Sequence, residues 1–210
     1  MKKFAGLVML LCSAAVVVVA AQHPRGRRSA RAFFNPDPEL ELTQLFPTAA
    51  AFSPPGGSPP HVTAYRTDPR TDPAAPPIGF AFWTTDLVPN ERGYHGPIRI
   101  LVGMDPAGIL AGVVVDSDTE PYGYFSIEPP KFAAQFKGKS IRDGFRVGVD
   151  IDAVSRASLS IGSATRAIRD SSAAGCQSAA RTRRREVAQR GRIWQFDCCA
   201  FASPMNFPTA

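Results

Sequence analysis

One short stretch of the chain, SRASLS at residues 155–160, has residue types and a spacing that could do chemistry. Three serine hydroxyls lie within six residues, directly before a pattern typical of an amphipathic helix. A serine at a helix start can cap it by accepting a hydrogen bond from a free backbone N–H. The same N–H groups also suit a phosphate, with which Arg156 could pair. The residues alone leave both interpretations open.

The residues around these serines predict the helix that would position them. Apolar side chains recur at intervals of three, four, three and four, which is one face of a helix. They are Val154, Ala157, Ile161, Ala164 and Ile168. Gly175 is typical of a helix end, so we expect the helix to stop there.

Three stretches upstream predict β-strands, at residues 78–86, 97–105 and 108–118. The second alternates two sets of side chains, as a strand with two different faces does. One set is Ile98, Ile100, Val102 and Met104, and the other is Arg99, Leu101 and Gly103. Pro106-Ala107-Gly108 predicts a hairpin turn between the second and third strands.

Shorter helical segments flank the strands. Residues 38–46 predict a short helix stopped at Pro47, and residues 128–140 predict one or two turns with Phe132 and Phe136 on one side. The Pro- and Gly-rich stretch between the first helix and the strands predicts an irregular loop. We therefore expect an α+β fold, a small twisted antiparallel sheet with packed helices, over residues 78–172.

The N-terminus predicts export. Lys2 and Lys3 precede an apolar run from Phe4 to Ala21, which is typical of a signal peptide cleaved before Gln22. An uncleaved N-terminal anchor is the alternative, because about 18 residues can just span a bilayer. Either way we expect the rest of the chain in the periplasm or at the outer face of the cytoplasmic membrane. Residues 22–77 are then a Pro-rich N-terminal segment.

Charge argues against nucleic acid as a partner. The formal net charge is +6, but residues 32–172 hold twelve basic and sixteen acidic side chains, so the excess of positive charge lies at the two ends. Residues 173–210 form a basic tail, which we expect to be disordered or read in a shifted frame. All four cysteines lie outside 78–172, and the three histidines are scattered, so no metal site is predicted.

Several of these stretches resemble one family. They are GFAFWTTD, GYHGPIRILVGMDPAGILAGVVV, DTEPYGYF, FKGKS and DIDAVSRASLS. Together, over residues 79–172, they resemble the periplasmic FMN-binding domain of the NosR and RnfG type. The resemblance implies that the second hydroxyl residue of a Ser/Thr-Gly-Ala-Ser/Thr-x-Ser/Thr motif carries FMN through a phosphoester. A flavin transferase makes that bond from FAD, and the matching residue is Ser158.

The resemblance also implies roles for the neighbours of Ser158. Ser155 and Ser160 would be supporting hydroxyls, and Ala157 the small neighbour. The chain departs from the family pattern in having Arg156 where the motif has Gly. This bulky side chain would either pair with the phosphate or hinder the transferase. Glu120 and the backbone after it would line the flavin pocket. The rings of Tyr122, Tyr124 and Phe125 would either stack on the isoalloxazine ring or pack into the core.

The implied function is an exported electron-transfer or regulatory flavoprotein of the NosR-like kind, rather than an enzyme by itself. Its partners would be a flavin transferase and components of membrane electron transfer or nitrous oxide reductase maturation. The alternative is the same fold without flavin, acting as an exported sensory or binding module, possibly as a truncated copy of a longer membrane protein.

Overall fold

The computed structural model describes residues 38–190, and the side chains as far as residue 177. Five strands and five helices follow one another in this part of the chain. They are α1 (Glu39–Leu45), β1 (Ala51–Phe52), β2 (Val62–Tyr65), β3 (Pro77–Trp83), α2 (Thr84–Leu87), β4 (Arg99–Met104), β5 (Leu110–Ser117), α3 (Gly123–Ser126), α4 (Pro130–Ala134) and α5 (Ser158–Arg190). The predicted signal peptide, the exit segment to residue 37 and residues 191–210 lie outside the described residues.

The strands form one antiparallel sheet in the order β1-β2-β3-β4-β5, so each strand pairs with its neighbour in sequence. The predicted α+β fold is confirmed. The first predicted strand is shorter than expected, because Thr84 starts a helical turn after Trp83. Thr84 explains this break: its buried hydroxyl bonds Ile98 O at 3.2 Å and accepts from Ile100 N at 3.1 Å, which ties the turn to β4.

The folded unit begins earlier than predicted. The segment 22–77 was expected to precede the fold, yet it supplies α1, β1 and β2, and β2 pairs with β3 over Val62–Tyr65. Proline and glycine dominate the composition of this region and hide a strand of only four residues. The prediction of an irregular loop there was therefore wrong for residues 62–65.

The two faces of β4 bury different cores, as the alternation of its side chains predicts. Ile100, Val102 and Met104 face a core that includes Ile161 and Ile168 of α5. Leu101 faces the opposite side. There it packs with residues of α1 and the segment after it, namely Leu42, Leu45 and Phe46. Helices thus cover both faces of the sheet, and α5 packs against β3 and β4.

The hairpin between β4 and β5 turns where predicted. The Asp105 carboxylate accepts hydrogen bonds from Ala107 N at 2.9 Å and Ile109 N at 2.8 Å. Gly108 has a φ of 84°, a left-handed conformation that glycine adopts without a steric penalty. The turn fixes the register of the two central strands.

Helix α5 is longer than predicted. It passes through Gly175, the expected end, and continues to Arg190. A Cβ on Gly175 would lie 2.5 Å from Phe82 Cε1, so this glycine lets the helix approach β3 closely. Cys176 is also buried. The expectation of a disordered tail is therefore wrong for residues 173–190, which belong to the helix, while residues 191–210 lie outside the described part.

Among the helices of residues 38–190, none combines the length and the apolar character needed to cross a membrane.

Candidate functional site

The start of α5 places the serines of residues 155–160 on different sides of the backbone. Ala157 is the last residue before the helix and is 3% exposed. Its carbonyl accepts the first helical hydrogen bond from Ile161 N at 2.9 Å, and its N–H donates to Val154 O at 3.2 Å. With Ala157 packed into the core, Ser155 and Ser158 are exposed, whereas Ser160 is buried.

The exposed serines do not cap the helix. Across residues 38–177, the side-chain hydrogen bonds include none from the hydroxyl of Ser155 or of Ser158. The cap position itself belongs to Ala157, whose side chain has no acceptor. The first N–H groups of α5, those of Ser158 and Leu159, also have no acceptor within the described residues. The helix start therefore presents a free hydroxyl beside unpaired N–H donors.

Arg156 adopts the backbone conformation that explains the glycine of the family motif. Its φ is 69°, in the left-handed region where a side chain clashes with the backbone. A glycine would take this conformation without strain, and Arg156 takes it at a steric cost. Within the described residues the exposed Arg156 guanidinium has no ion-pair partner, so it is available to an anion.

Ser160, the third serine, forms a hydrogen bond with Glu120, the residue predicted to line the flavin pocket. The Ser160 hydroxyl donates a hydrogen bond to Oε2 of Glu120, and both side chains are buried. The same carboxylate accepts from Tyr94 N at 3.0 Å and from His95 N at 2.8 Å. Glu120 therefore joins the start of α5 to the loop that enters β4.

These hydrogen bonds decide the charge of Glu120. Burial by itself raises the pKa of a carboxyl group, because it penalises the charged form. Here the Ser160 hydroxyl and the N–H groups of His95, Tyr94 and Gly96 more than offset that effect and hold the pKa of Glu120 below its ordinary value. The side chain is a buried carboxylate rather than a neutral acid.

Small residues let the entry loop close on this carboxylate. A Cβ on Gly93 would lie 2.5 Å from Glu120 Oε1, and Gly93 N donates to Gly96 O at 2.8 Å. A Cβ on Gly96 would lie 2.8 Å from the hydroxyl of Thr119. The glycines of the GYHGP stretch are thus explained by close packing around Glu120.

Exposed aromatic side chains come from the same segments. Tyr94 is 68% exposed, Tyr122 is 45% exposed and Tyr124 is 55% exposed. The rings of Tyr122 and Tyr124 contact Phe125 at centroid distances of 5.5 Å and 5.0 Å, and Phe125 packs against the core. The three tyrosines are thus partly exposed, and Phe125 packs between two of them and the core.

The structure brings some of the predicted residues together and leaves others apart. Glu120 and Ser160 are hydrogen-bonded to each other and Ala157 is buried in the core, whereas Ser155, Arg156 and Ser158 are exposed at the start of α5. Asp150 and Asp152, which lie just before the serines in sequence, form ion pairs with Lys139 at 3.7 Å and with Lys131 at 2.9 Å. The sequence interpretation missed the backbone N–H groups of residues 94 and 95, because no local pattern reveals which carboxylate a loop will bind.

Comparison with known proteins bears on this region alone. The family model of the FMN-binding domain matches residues 93–172, from the loop on Glu120 to the middle of α5. No curated protein matches the chain. The match includes every residue of the site described above and leaves out β1, β2 and β3. Residues 93–172 of this chain are therefore an FMN-binding domain by that family's model.

Proposed function

We propose that this protein is an exported flavoprotein domain that carries FMN on Ser158 through a phosphoester. The observation that carries the proposal is the state of Ser158 within the matched segment. It is the first residue of α5, is exposed to solvent, and has a hydroxyl with no hydrogen-bond partner in the described structure. A hydroxyl in this state can approach the phosphorus of a large nucleotide.

The attachment is a transfer with FAD as co-substrate. Ser158 Oγ forms a bond to the phosphorus on the riboflavin side of FAD, and the bond from that phosphorus to the bridging oxygen breaks. AMP leaves with that oxygen, and the hydroxyl proton passes to a base of the flavin transferase. No electrons are exchanged in this step. The product is a phosphodiester with one negative charge.

The residues around Ser158 fit that product. The free N–H groups at the start of α5 and the positive end of the helix dipole favour a phosphate there. The Arg156 guanidinium, which lacks an ion-pair partner in the described part, would add a charge-assisted hydrogen bond. The exposed faces of Tyr122 and Tyr124 would pack against the isoalloxazine ring.

The bound flavin would supply the redox chemistry, and the chain would hold and shield it. We propose that the domain acts as an electron-transfer or regulatory component of the NosR-like kind, and not as an enzyme by itself. The apolar run after Lys2 and Lys3 supports export to the periplasm, with partners in membrane electron transfer or nitrous oxide reductase maturation. N-terminal sequencing of the mature protein tests export, and a start near Gln22 is the expected result.

The attachment is tested by co-expressing the chain with a flavin transferase and scoring in-gel flavin fluorescence after denaturation. Wild type should be fluorescent, Ser158→Ala should lose the label completely, and Ser155→Ala should keep at least part of it. Arg156→Gly is run beside them. A label on Arg156→Gly alone would show that Arg156 blocks attachment in this chain. Absence of label from both would refute Ser158 as the carrier and favour the flavin-free sensory or binding module.

A further inference from the structure

We propose that Glu120 is a positioning residue for flavin attachment, acting through Ser160 to set the outward direction of Ser158. This inference rests on the proposed function of Ser158. It assigns to the buried carboxylate a task beyond holding the fold together, because the Ser160–Glu120 hydrogen bond adds a directional polar contact to the apolar packing of Ile161 in the first turn of α5.

The geometry of a helix links the two serines. Successive residues turn by about 100° around a helix axis, so residues two apart point in nearly opposite directions. Ser160 is 3% exposed and bonded to Glu120, while Ser158 is exposed. Holding Ser160 inward therefore holds Ser158 outward. The other buried side chains here are Ala157, just before the helix, and Ile161 in its first turn, and neither has a polar group.

Hydrogen bonds from the entry loop hold the Glu120 carboxylate in place. Oε1 accepts from His95 N, and Oε2 accepts from both Tyr94 N and Ser160 Oγ. Asp118 Oδ1 accepts from the backbone N–H of Glu120 at 2.9 Å. These contacts hold Glu120 in place. Its carboxylate then binds both the entry loop and the first turn of α5, which carries Ser158.

Substitutions of Glu120 and of Ser160 remove different hydrogen bonds. Glu120→Gln replaces one oxygen by an NH₂ group, which then faces a backbone N–H donor and must repel it. Ser160→Ala removes only the bond to the helix and leaves both loop bonds in place. The Ser160 variant thus tests the helix link without disturbing the loop.

The test compares four variants: Ser160→Ala, Ser160→Thr, Glu120→Gln and Ser163→Ala. Ser163 is the matched control, because it is a buried serine of α5, 2% exposed, one turn beyond Ser160. The measurement is the rate of covalent flavin incorporation at saturating FAD and flavin transferase, with the thermal midpoint of each flavin-free variant. If Arg156→Gly proves necessary for labelling, all four are made in that background.

We expect at least a tenfold slower incorporation for Ser160→Ala and for Glu120→Gln. Ser160→Thr, which keeps the hydroxyl, and Ser163→Ala should stay within about twofold of their parent. The midpoint of Ser160→Ala should fall further than that of Ser163→Ala, because only Ser160 donates to a buried carboxylate, so all rates are compared at a temperature at which every variant is folded. This combination cannot arise from lost stability alone.

Two results would overturn the inference while leaving Ser158 as the carrier. One is that Ser160→Ala incorporates flavin at the rate of its parent. The other is that Ser163→Ala slows incorporation as much as Ser160→Ala does. If the parent itself takes up no flavin in either background, the proposed function fails first and the role of Glu120 fails with it. Hydrogen exchange gives an independent check: Glu120→Gln should speed exchange of the Tyr94 and His95 amides, and Ser160→Ala should not.

Discussion

The Ser160 hydroxyl donates to the Glu120 carboxylate across forty residues of sequence, in the interior of the domain. The bond joins the start of α5 to the loop after β5. The same carboxylate accepts hydrogen bonds from the N–H groups of Tyr94 and His95. The start of α5, the loop after β5 and the loop before β4 therefore meet at one negative charge. The first prediction follows from that charge.

Acid should weaken the domain through Glu120. A carboxyl group whose pKa is lower in the folded protein stabilises the fold above its unfolded pKa, and this stabilisation is lost as the pH falls through the folded pKa. The pKa of Glu120 is held below its ordinary value, so its contribution is full at neutral pH and declines as the pH falls through the lowered pKa.

Urea unfolding of wild type and Glu120→Gln at pH 7, 5, 4 and 3 measures this effect. The difference in unfolding free energy between the two proteins should be largest at pH 7 and should shrink toward pH 3. A difference that stays constant or grows on acidification would contradict a buried carboxylate at this position.

The left-handed backbone of Arg156 gives the second prediction. A non-glycine residue at a φ of 69° bears a steric cost of about 1–2 kcal/mol. Glycine removes this cost, but it also loses more conformational entropy on folding, which offsets part of the gain. Arg156→Gly should therefore raise the free energy of unfolding by about 0.5–1 kcal/mol. Arg156→Ala is the control, because it keeps a Cβ and should change little. Equal effects of both variants would show that charge, not backbone strain, matters at this position.

The elements that depend on local patterns were predictable from the sequence, and the contacts between distant segments were not. The helical spacing of Ile161, Ala164 and Ile168 and the two faces of β4 are confirmed, because each pattern lies within one element; Val154 and Ala157, also predicted on the helix face, precede the helix. The four residues of β2 were missed among prolines, since their pairing partner lies in β3. Likewise, no local pattern could show that Glu120 would accept from Ser160 and from two backbone amides.

Burial of the α5 face gives the third prediction. Ile168 has no exposed surface and lies in the core between α5 and the sheet. Ile168→Ala should lower the free energy of unfolding by about 2–5 kcal/mol, from lost burial and the cavity left behind. Leu159→Ala serves as the control, because Leu159 on the same helix is 64% exposed and should change stability by at most about 0.5 kcal/mol. Similar losses in the two variants would mean that the buried face of α5 is assigned wrongly.

Two glycines of the same helix give the last prediction, since their surroundings differ. Alanine is favoured over glycine inside a helix by about 1 kcal/mol, so Gly→Ala should stabilise α5 wherever a methyl group fits. At Gly175 it does not fit, because the new Cβ would lie 2.5 Å from Phe82 Cε1, a buried ring that cannot move aside. At Gly162 the nearest atom is Arg166 Nη1 at 3.3 Å, the end of a flexible side chain.

The two substitutions should therefore have opposite signs in chemical unfolding. Gly162→Ala should raise the free energy of unfolding by about 0.5–1 kcal/mol through helix propensity. Gly175→Ala should lower it by about 1–3 kcal/mol, as overpacking of a core does. A stabilising Gly175→Ala would mean that α5 does not approach Phe82 closely. The packing of the helix on the sheet would then end before residue 175, close to the helix end that Gly175 predicts from the sequence. A destabilising result would show that the helix packs on β3 well beyond the serines at its start.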